Sequence, residues 1–139
     1  MKKLEETEQV LLAYYAQYYL GASKEEIEAL DSRLEKEIGE EKYGRIMREL
    51  EEKEYINGMS AVRQKHEEGT PVPMATNSGI LAINTLFEIT SDSAEESQLY
   101  YLENNLDTSG FEFTLDPAKR YVREAFKKEA ETEPNRNRP

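Results

Sequence analysis

The amino-acid sequence predicts an α+β fold in which three short helices are followed by a β-hairpin and by additional C-terminal helices. Two observations lead to this prediction. Apolar residues recur at spacings of three and four over residues 4–53, and glycines divide that stretch into three helical parts. The pattern then changes, because residues 55–64 and 80–89 are enriched in β-branched and aromatic side chains.

The first three helices are delimited by capping signals. The first covers residues 4–20 and ends at Gly21, since glycine readily takes the left-handed conformation that follows a helix. Ser23 and Glu26 have the spacing of a capping box, which starts the second helix. The third covers residues 40–53. Its apolar stripe comprises Tyr43, Ile46, Met47 and Leu50.

Residues 55–64 and 80–89 are predicted to pair as the two strands of a β-hairpin. The fifteen residues between them contain two prolines and two glycines, a composition typical of a long irregular loop. In the second strand four apolar residues fall on one parity, as expected where one face of a strand is buried: Leu81, Ile83, Phe87 and Ile89. This alternation places Leu81 in the core.

Two further helices are predicted after the hairpin. Ser93 and Glu96 form another capping box ahead of the helical stretch SQLYYLENN. Asp116-Pro117 starts the last helix, because aspartate caps a helix and proline suits its first turn. Residues 111–115 between these helices are interpreted as a short strand.

Composition limits the classes of protein to which the chain can belong. Its 139 residues suit one domain, predicted at residues 1–131, with a disordered polar tail at 132–139. The 29 acidic and 18 basic residues give a net charge of −11, which repels a phosphate backbone. The absence of cysteine excludes disulfides and thiolate sites. The N-terminus lacks the apolar core of a signal peptide, and no apolar run is long enough to span a membrane, so a cytoplasmic protein is expected.

Three helices, a two-stranded hairpin and a following helix is the order of a winged helix-turn-helix. Two stretches of the chain carry a family pattern: Leu50, Tyr55, Ile56 and Gly58 in the first, and Ile89-Thr90 with Tyr101-Leu102-Glu103-Asn104 in the second. In these residues the chain resembles the YjcQ-like winged-helix family of bacilli and their phages. The resemblance implies a winged-helix fold and a phage or prophage origin, and it implies no catalytic residues. The wing is longer here than in the family.

Four basic residues are candidates for nucleic-acid contacts. Arg45 and Arg48, on the outer face of the third helix, could hydrogen-bond guanine edges or phosphates. Arg63 and Lys65 lie in the predicted wing. The competing interpretation is that these cations pair with glutamates, which lie four residues away on the helix and directly beside the wing cations. Six glutamates against four bases on residues 40–54 favour pairing.

Aromatic and loop residues are candidates for contacts with a protein partner. The run LLAYYAQYYL places four tyrosines in six positions, and we expect the core to take two of the rings. The last helix or a second subunit would cover the others, which makes the first helix a candidate homodimer surface. The basic side of the last helix is expected to face the acidic segment 91–115. The candidate partner-binding residues are Tyr15, Tyr19, Met74, Tyr121 and Phe126.

Catalytic and cofactor chemistry has little support in the sequence. His66 is the sole histidine, so a transition-metal site and a Cys–His pair are excluded. Residues 105–116 resemble the spacing of a calcium loop, but they begin with asparagine and carry Glu112 where an apolar residue is usual. We therefore expect no enzymatic activity, no metal and no cofactor.

The chain is accordingly predicted to be a small phage-type regulatory protein that acts by binding another macromolecule. The charge favours a protein partner over DNA, and an acidic body could occupy the binding surface of a host nucleic-acid-binding or defence protein. The alternative is a dimeric DNA-binding transcription regulator that uses the third helix and the wing. A structural component of a virion is the third class.

Overall fold

A computed structural model of the protein describes residues 3–21, 23–87, 98–109 and 112–132, without the side chains of residues 98, 107–109 and 129–132. Within these ranges the chain forms seven α-helices and no β-strand, so the predicted α+β winged helix with a β-hairpin wing is wrong. The helices are α1 (Glu6–Tyr19), α2 (Lys24–Ile38), α3 (Glu40–Glu52), α4 (Met59–Glu67), α5 (Asn77–Leu86), α6 (Gln98–Ser109) and α7 (Asp116–Thr132).

Helix α1 is the centre of the fold. Residues 9–17 are all buried, and α3, α5, α6 and α7 pack around them. The stretch VLLAYYA is apolar on every face of a helix, which is typical of a helix buried on all sides. Tyr14 and Tyr15 lie in the core, whereas Tyr18 is exposed and Tyr19 is half-buried. The expectation that the core takes two of the four rings is confirmed.

The predicted second strand is helix α5. The side chain of Thr76 caps it by accepting a hydrogen bond from the Gly79 N–H at 3.0 Å. Ile83 and Phe87 are both buried, and their spacing of four residues suits a helix as well as a strand, because four is even and also close to one helical turn. Leu81 distinguishes the two structures. It shares their parity in a strand, but in the helix it lies on another face and is 64% exposed.

The predicted first strand is replaced by an extended stretch and by helix α4. Only Ile56 keeps an extended pairing, in an isolated antiparallel bridge with Ala75. The Asn57 N–H donates to the Met74 carbonyl at 2.7 Å, and the Thr76 N–H donates to the Tyr55 carbonyl at 3.0 Å. Ala75 lies in the predicted loop and not in the predicted second strand, so this bridge does not join the two predicted strands, and the hairpin is absent.

The capping signals of the first helices are confirmed. Gly21 has a φ of 68° immediately after α1. The Ser23 hydroxyl accepts from the Glu26 N–H at 3.2 Å, and the Glu26 carboxylate in turn accepts from the Ser23 N–H at 3.2 Å. Helix α7 begins at Asp116, as predicted. Short-range polar signals were therefore reliable here, since they act over only a few residues.

The remaining predictions on secondary structure have mixed outcomes. The short strand at 111–115 is wrong for its described part, because Glu112 forms only an isolated bridge with Lys3. Thr132, placed in the tail, belongs to α7. The capping box at residues 93–96, the Ile89-Thr90 pair and residues 133–139 lie outside the described part of the chain.

Candidate functional site

A groove of about 580 Å³ lies between helix α5 on one side and the ends of α1 and α3 on the other. We call it the α5 groove. Its floor is apolar, because Leu11, Leu50 and Ile83 are buried side chains of the core. Thirteen residues line it: Glu5, Thr7, Glu8, Leu11, Leu50, Lys53, Tyr55, Ser78, Leu81, Ala82, Ile83, Thr85 and Leu86.

The wall of the groove that α5 supplies is uncharged and mainly apolar, with Ser78 and Thr85 as its polar lining residues. The sequence of α5, NSGILAINTL, contains no ionisable residue. Leu81 is 64% exposed, and Ala82 and Leu86 are half-buried. A leucine with this exposure beside two other apolar side chains forms a patch, and exposed apolar patches mark sites of interaction with other molecules.

The wall that α1 supplies is acidic. Glu5 and Glu8 line the groove at the first turn of α1, where each carboxylate accepts the other residue's backbone N–H in a capping box. The Glu5 N–H donates to Glu8 Oε1 at 2.9 Å. These carboxylates, with Glu6, offset the partial positive charge of the helix N-terminus.

The one base among the lining residues is already paired. Lys53 Nζ lies 3.3 Å from Glu49 Oε2, one helical turn earlier in α3. With Lys53 neutralised in this way, Glu5 and Glu8 give the rim of the α5 groove a net negative charge.

Close packing of α5 on the chain before α4 fixes the position of the groove. A Cβ atom added at Gly79 would lie 2.2 Å from the Tyr55 carbonyl oxygen and 3.2 Å from Leu11 Cδ1. Only glycine allows this approach. Tyr55 itself follows α3 in a Schellman motif, since its N–H donates to the Leu50 carbonyl at 2.9 Å and that of Glu54 to the Glu51 carbonyl at 3.0 Å.

The predicted nucleic-acid residues are spread over two helices that both pack on α2. Arg45 and Arg48 are exposed on α3, as expected, and Arg45 lies 3.6 Å from Glu41. Arg63 and Lys65 belong to α4 instead of a wing. Their partners are Glu28 Oε2 at 2.5 Å for Arg63 and Glu68 Oε1 at 3.9 Å for Lys65.

Three of the five predicted partner-binding residues are buried. Tyr15, Met74 and Phe126 have exposures of 0%, 2% and 6%, and the Tyr15 hydroxyl donates to Asn84 Oδ1 at 2.6 Å. Tyr19 and Tyr121 are half-buried. Because residues 9–17 of α1 are covered by neighbouring helices, the centre of α1 has no free face for a homodimer.

A second cavity, of about 210 Å³, lies between the end of α1 and the loop after α4. Tyr14 on its wall belongs to a chain of hydrogen bonds: its hydroxyl is 2.7 Å from that of Tyr43, which donates to Asp31 Oδ1 at 2.8 Å. Burial raises the pKa of both phenols. These hydrogen bonds join α1, α2 and α3. His66 also lines the cavity, and its Nε2 lies 3.0 Å from the Val72 carbonyl oxygen.

Helix α7 is held to α2 by ion pairs. The Arg33 guanidinium donates to both oxygens of Glu124, at 2.9 and 3.1 Å, and these hydrogen bonds hold the pKa of the Glu124 carboxyl below its usual range. Arg120 pairs with Glu37, and Lys128 Nζ lies 3.7 Å from Glu26. Two cations of α7 therefore face α2, and residues 91–97 of the acidic segment expected there lie outside the described part of the chain.

The described part of the chain holds no cluster of three or more histidine, aspartate or glutamate side chains suited to a metal ion. Helix α6 runs to Ser109, so the backbone of the first residues of the calcium-loop-like stretch is helical and does not form a loop. None of the helices that the structure describes has the length and apolar character to cross a membrane.

Comparisons of the chain with models of protein families, with curated proteins and with solved structures found no match. The site is therefore defined by its own geometry. Sequence reasoning missed the α5 groove because the strand prediction buried Leu81. A signal for it was present, since α5 is uncharged in a chain with 34% charged residues.

Proposed function

We infer that the protein acts by binding another polypeptide in the α5 groove and has no catalytic role there. The exposure of Leu81 at the edge of an apolar groove is the observation that supports this function. Burying exposed apolar surface is the main favourable term in protein association. The lining residues include no histidine or cysteine, and no nucleophile with a neighbouring base is found among them.

The charges favour a polypeptide over a nucleic acid as the partner. The net charge is −11, and Glu5 and Glu8 lie on the rim of the groove. Three of the four candidate cations lie beside carboxylates that partly offset their charge: Arg45, Arg63 and Lys65. Arg48 is exposed and has no ion pair among the described residues, so one isolated cation of the four is left for a phosphate contact. A second copy of the chain is also disfavoured, because a twofold contact through the groove would bring one acidic rim against the other.

Site-specific cross-linking tests this function. A photo-reactive amino acid at position 81 is expected to give a covalent adduct with a polypeptide in cells that contain the natural partner. The same amino acid at Tyr100, which is 49% exposed on α6, is the matched control and should not give that adduct. The polypeptide in the adduct is then purified and its binding to the chain measured.

The variant Leu81→Glu should abolish this binding, whereas Tyr100→Glu should leave it intact. Both side chains are substantially exposed, so neither substitution removes core packing, and circular dichroism checks that both variants fold. An adduct made only with nucleic acid or with a second copy of the chain, or binding that survives Leu81→Glu, would contradict the proposed function. A regulatory role and the DNA-binding alternative stay predictions.

A further inference from the structure

We propose, on the basis of the binding function above, that the α5 groove takes an amphipathic α-helix of the partner with lysine or arginine along one edge. Three features of the groove define this ligand: an apolar floor, a wall without backbone hydrogen-bonding groups to offer, and a charge on one side only.

The backbone of the ligand must satisfy its own hydrogen bonds. The floor and most of the α5 wall consist of aliphatic side chains, which offer no donor or acceptor: Leu11, Leu50, Leu81, Ala82, Ile83 and Leu86. Among the lining residues of α5, only Ser78 and Thr85 carry a hydrogen-bonding side chain, so the wall could pair few backbone groups of a ligand. Ten of the thirteen lining residues belong to α1, α3 and α5, and no strand edge occurs in the described residues to which an extended peptide could add. An extended segment buried here would leave N–H and C=O groups unpaired, whereas a helix pairs them internally.

The shape of the groove suits one face of a helix. Its volume of about 580 Å³ admits several apolar side chains together. An amphipathic helix delivers such a row from positions spaced by three, four and seven residues. Leu81, exposed at the edge of the groove, would be covered by the apolar side chains of the bound helix.

The charge of the groove is asymmetric, and this asymmetry orients the ligand. The α1 wall carries Glu5 and Glu8, Lys53 on the α3 side is paired with Glu49, and α5 has no ionisable residue. A helix with cations along the edge facing α1, and neutral residues along the edge facing α5, complements both walls. An acidic helix of the same shape would be repelled.

Binding of labelled synthetic peptides to the full chain, measured by fluorescence anisotropy, tests this proposal. The probes are a basic amphipathic helix, its counterpart with each lysine changed to glutamate, its counterpart with a central proline, and a scrambled basic sequence without an apolar face. The basic helix should bind at least about tenfold more tightly than each of the others. Leu81→Glu should weaken it by about tenfold or more, and Tyr100→Glu should not.

A charge variant separates the electrostatic part of the proposal. In Glu8→Gln the glutamine retains the capping box, because glutamine also serves at that position, but the charge is lost. The basic helix should then bind about threefold more weakly and with less dependence on salt. Glu35→Gln, on an exposed position of α2 outside the groove, is the control and should have no effect.

The outcomes distinguish this proposal from the binding function on which it rests. Equal binding of the acidic, proline-containing or scrambled peptide would overturn the basic-helix ligand, as would the absence of binding by every peptide. The cross-linking at position 81 is independent of these probes. A partner cross-linked there whose contacting segment is extended or acidic would leave the binding function standing and remove the helix proposal.

Discussion

At the scale of single residues, Gln9 shows how one buried polar side chain ties distant parts of the chain together. Its amide nitrogen donates to the Leu4 carbonyl at 2.8 Å and to the Thr114 hydroxyl at 2.9 Å. Its oxygen accepts from the backbone N–H groups of Thr114 at 3.0 Å and Leu115 at 2.8 Å. Both donors and both acceptor positions of the amide are used. Gln9 therefore joins the segment before α1 to the segment before α7.

We predict that Gln9→Ala lowers the free energy of unfolding by about 3 kcal/mol, because it leaves buried backbone groups without partners. Gln64→Ala is the matched control. The Gln64 side chain on α4 hydrogen-bonds only to the exposed Glu68 carboxylate among described residues. Alanine favours a helix, so the effect of Gln64→Ala should stay within about 0.5 kcal/mol. Urea unfolding measures both values. Equal effects of the two substitutions would contradict the role given to Gln9.

At the level of secondary-structure elements, the Leu-x-x-x-x-Tyr spacing of Leu50 and Tyr55, on which the family resemblance rests in part, is explained by how α3 ends. Leu50 and Tyr55 occupy the two positions of a Schellman motif whose side chains meet after a helix ends. Glu54 between them has a φ of 62°, the left-handed conformation that the motif requires. The spacing Leu-x-x-x-x-Tyr thus describes how α3 ends, and it does not by itself specify a wing.

We predict that Gly79→Ala destabilises the protein by about 2 kcal/mol or more, although alanine is the better helix former. The added Cβ would lie 2.2 Å from the Tyr55 carbonyl oxygen, and a backbone atom cannot move aside without shifting α5. Gly44→Ala in the middle of α3 is the control. Its Cβ would meet only the Arg48 side chain, at 3.6 Å, so stability should rise by about 0.5–1 kcal/mol.

Thermal unfolding followed by circular dichroism gives the sign of both changes. A fully stable Gly79→Ala variant would show that α5 does not pack this closely on Tyr55. If α5 shifts in that variant, binding in the α5 groove should weaken as well, since Ile83 and Leu86 move with the helix.

At the scale of the whole molecule, the burial of α1 determines how the protein responds to alkaline pH. Burial raises the pKa of Tyr14, Tyr15 and Tyr43, the first two on α1, and it raises the pKa of Tyr121 to about 12. An unfolded tyrosine ionises near pH 10. The stability that these groups contribute is therefore complete below about pH 10 and is lost as the pH rises above it, because the unfolded chain releases protons first.

We predict that these tyrosines ionise only in the step in which the helices unfold. Tyrosinate absorbance and far-ultraviolet circular dichroism, recorded together against pH, measure the two events. Tyr43→Phe removes one buried phenol and should make stability fall less steeply with pH. Ionisation of all nine tyrosines in a single step with the helices intact would contradict the burial of α1.

The limits of sequence reasoning are clearest at α5. Ile83 and Phe87 satisfy a strand and a helix equally, so periodicity could not decide between them. The sequence also gave no indication that Gln9 lies in the core, since its partners Thr114 and Leu115 are more than one hundred residues away. The acidic character of the groove rim, in contrast, agrees with the charge of the whole chain.

The ends of α1 and α2, the start of α7, the buried face of α3 and the net charge could all be predicted from the amino-acid sequence. Capping and helical periodicity act between residues a few positions apart, so they are written in the local sequence. Three features could be learned only from the folded molecule: residues 77–86 are helical, α1 is enclosed, and Leu81 lies on a groove. Such outcomes depend on which elements pack together, and packing between distant segments overrides local preference.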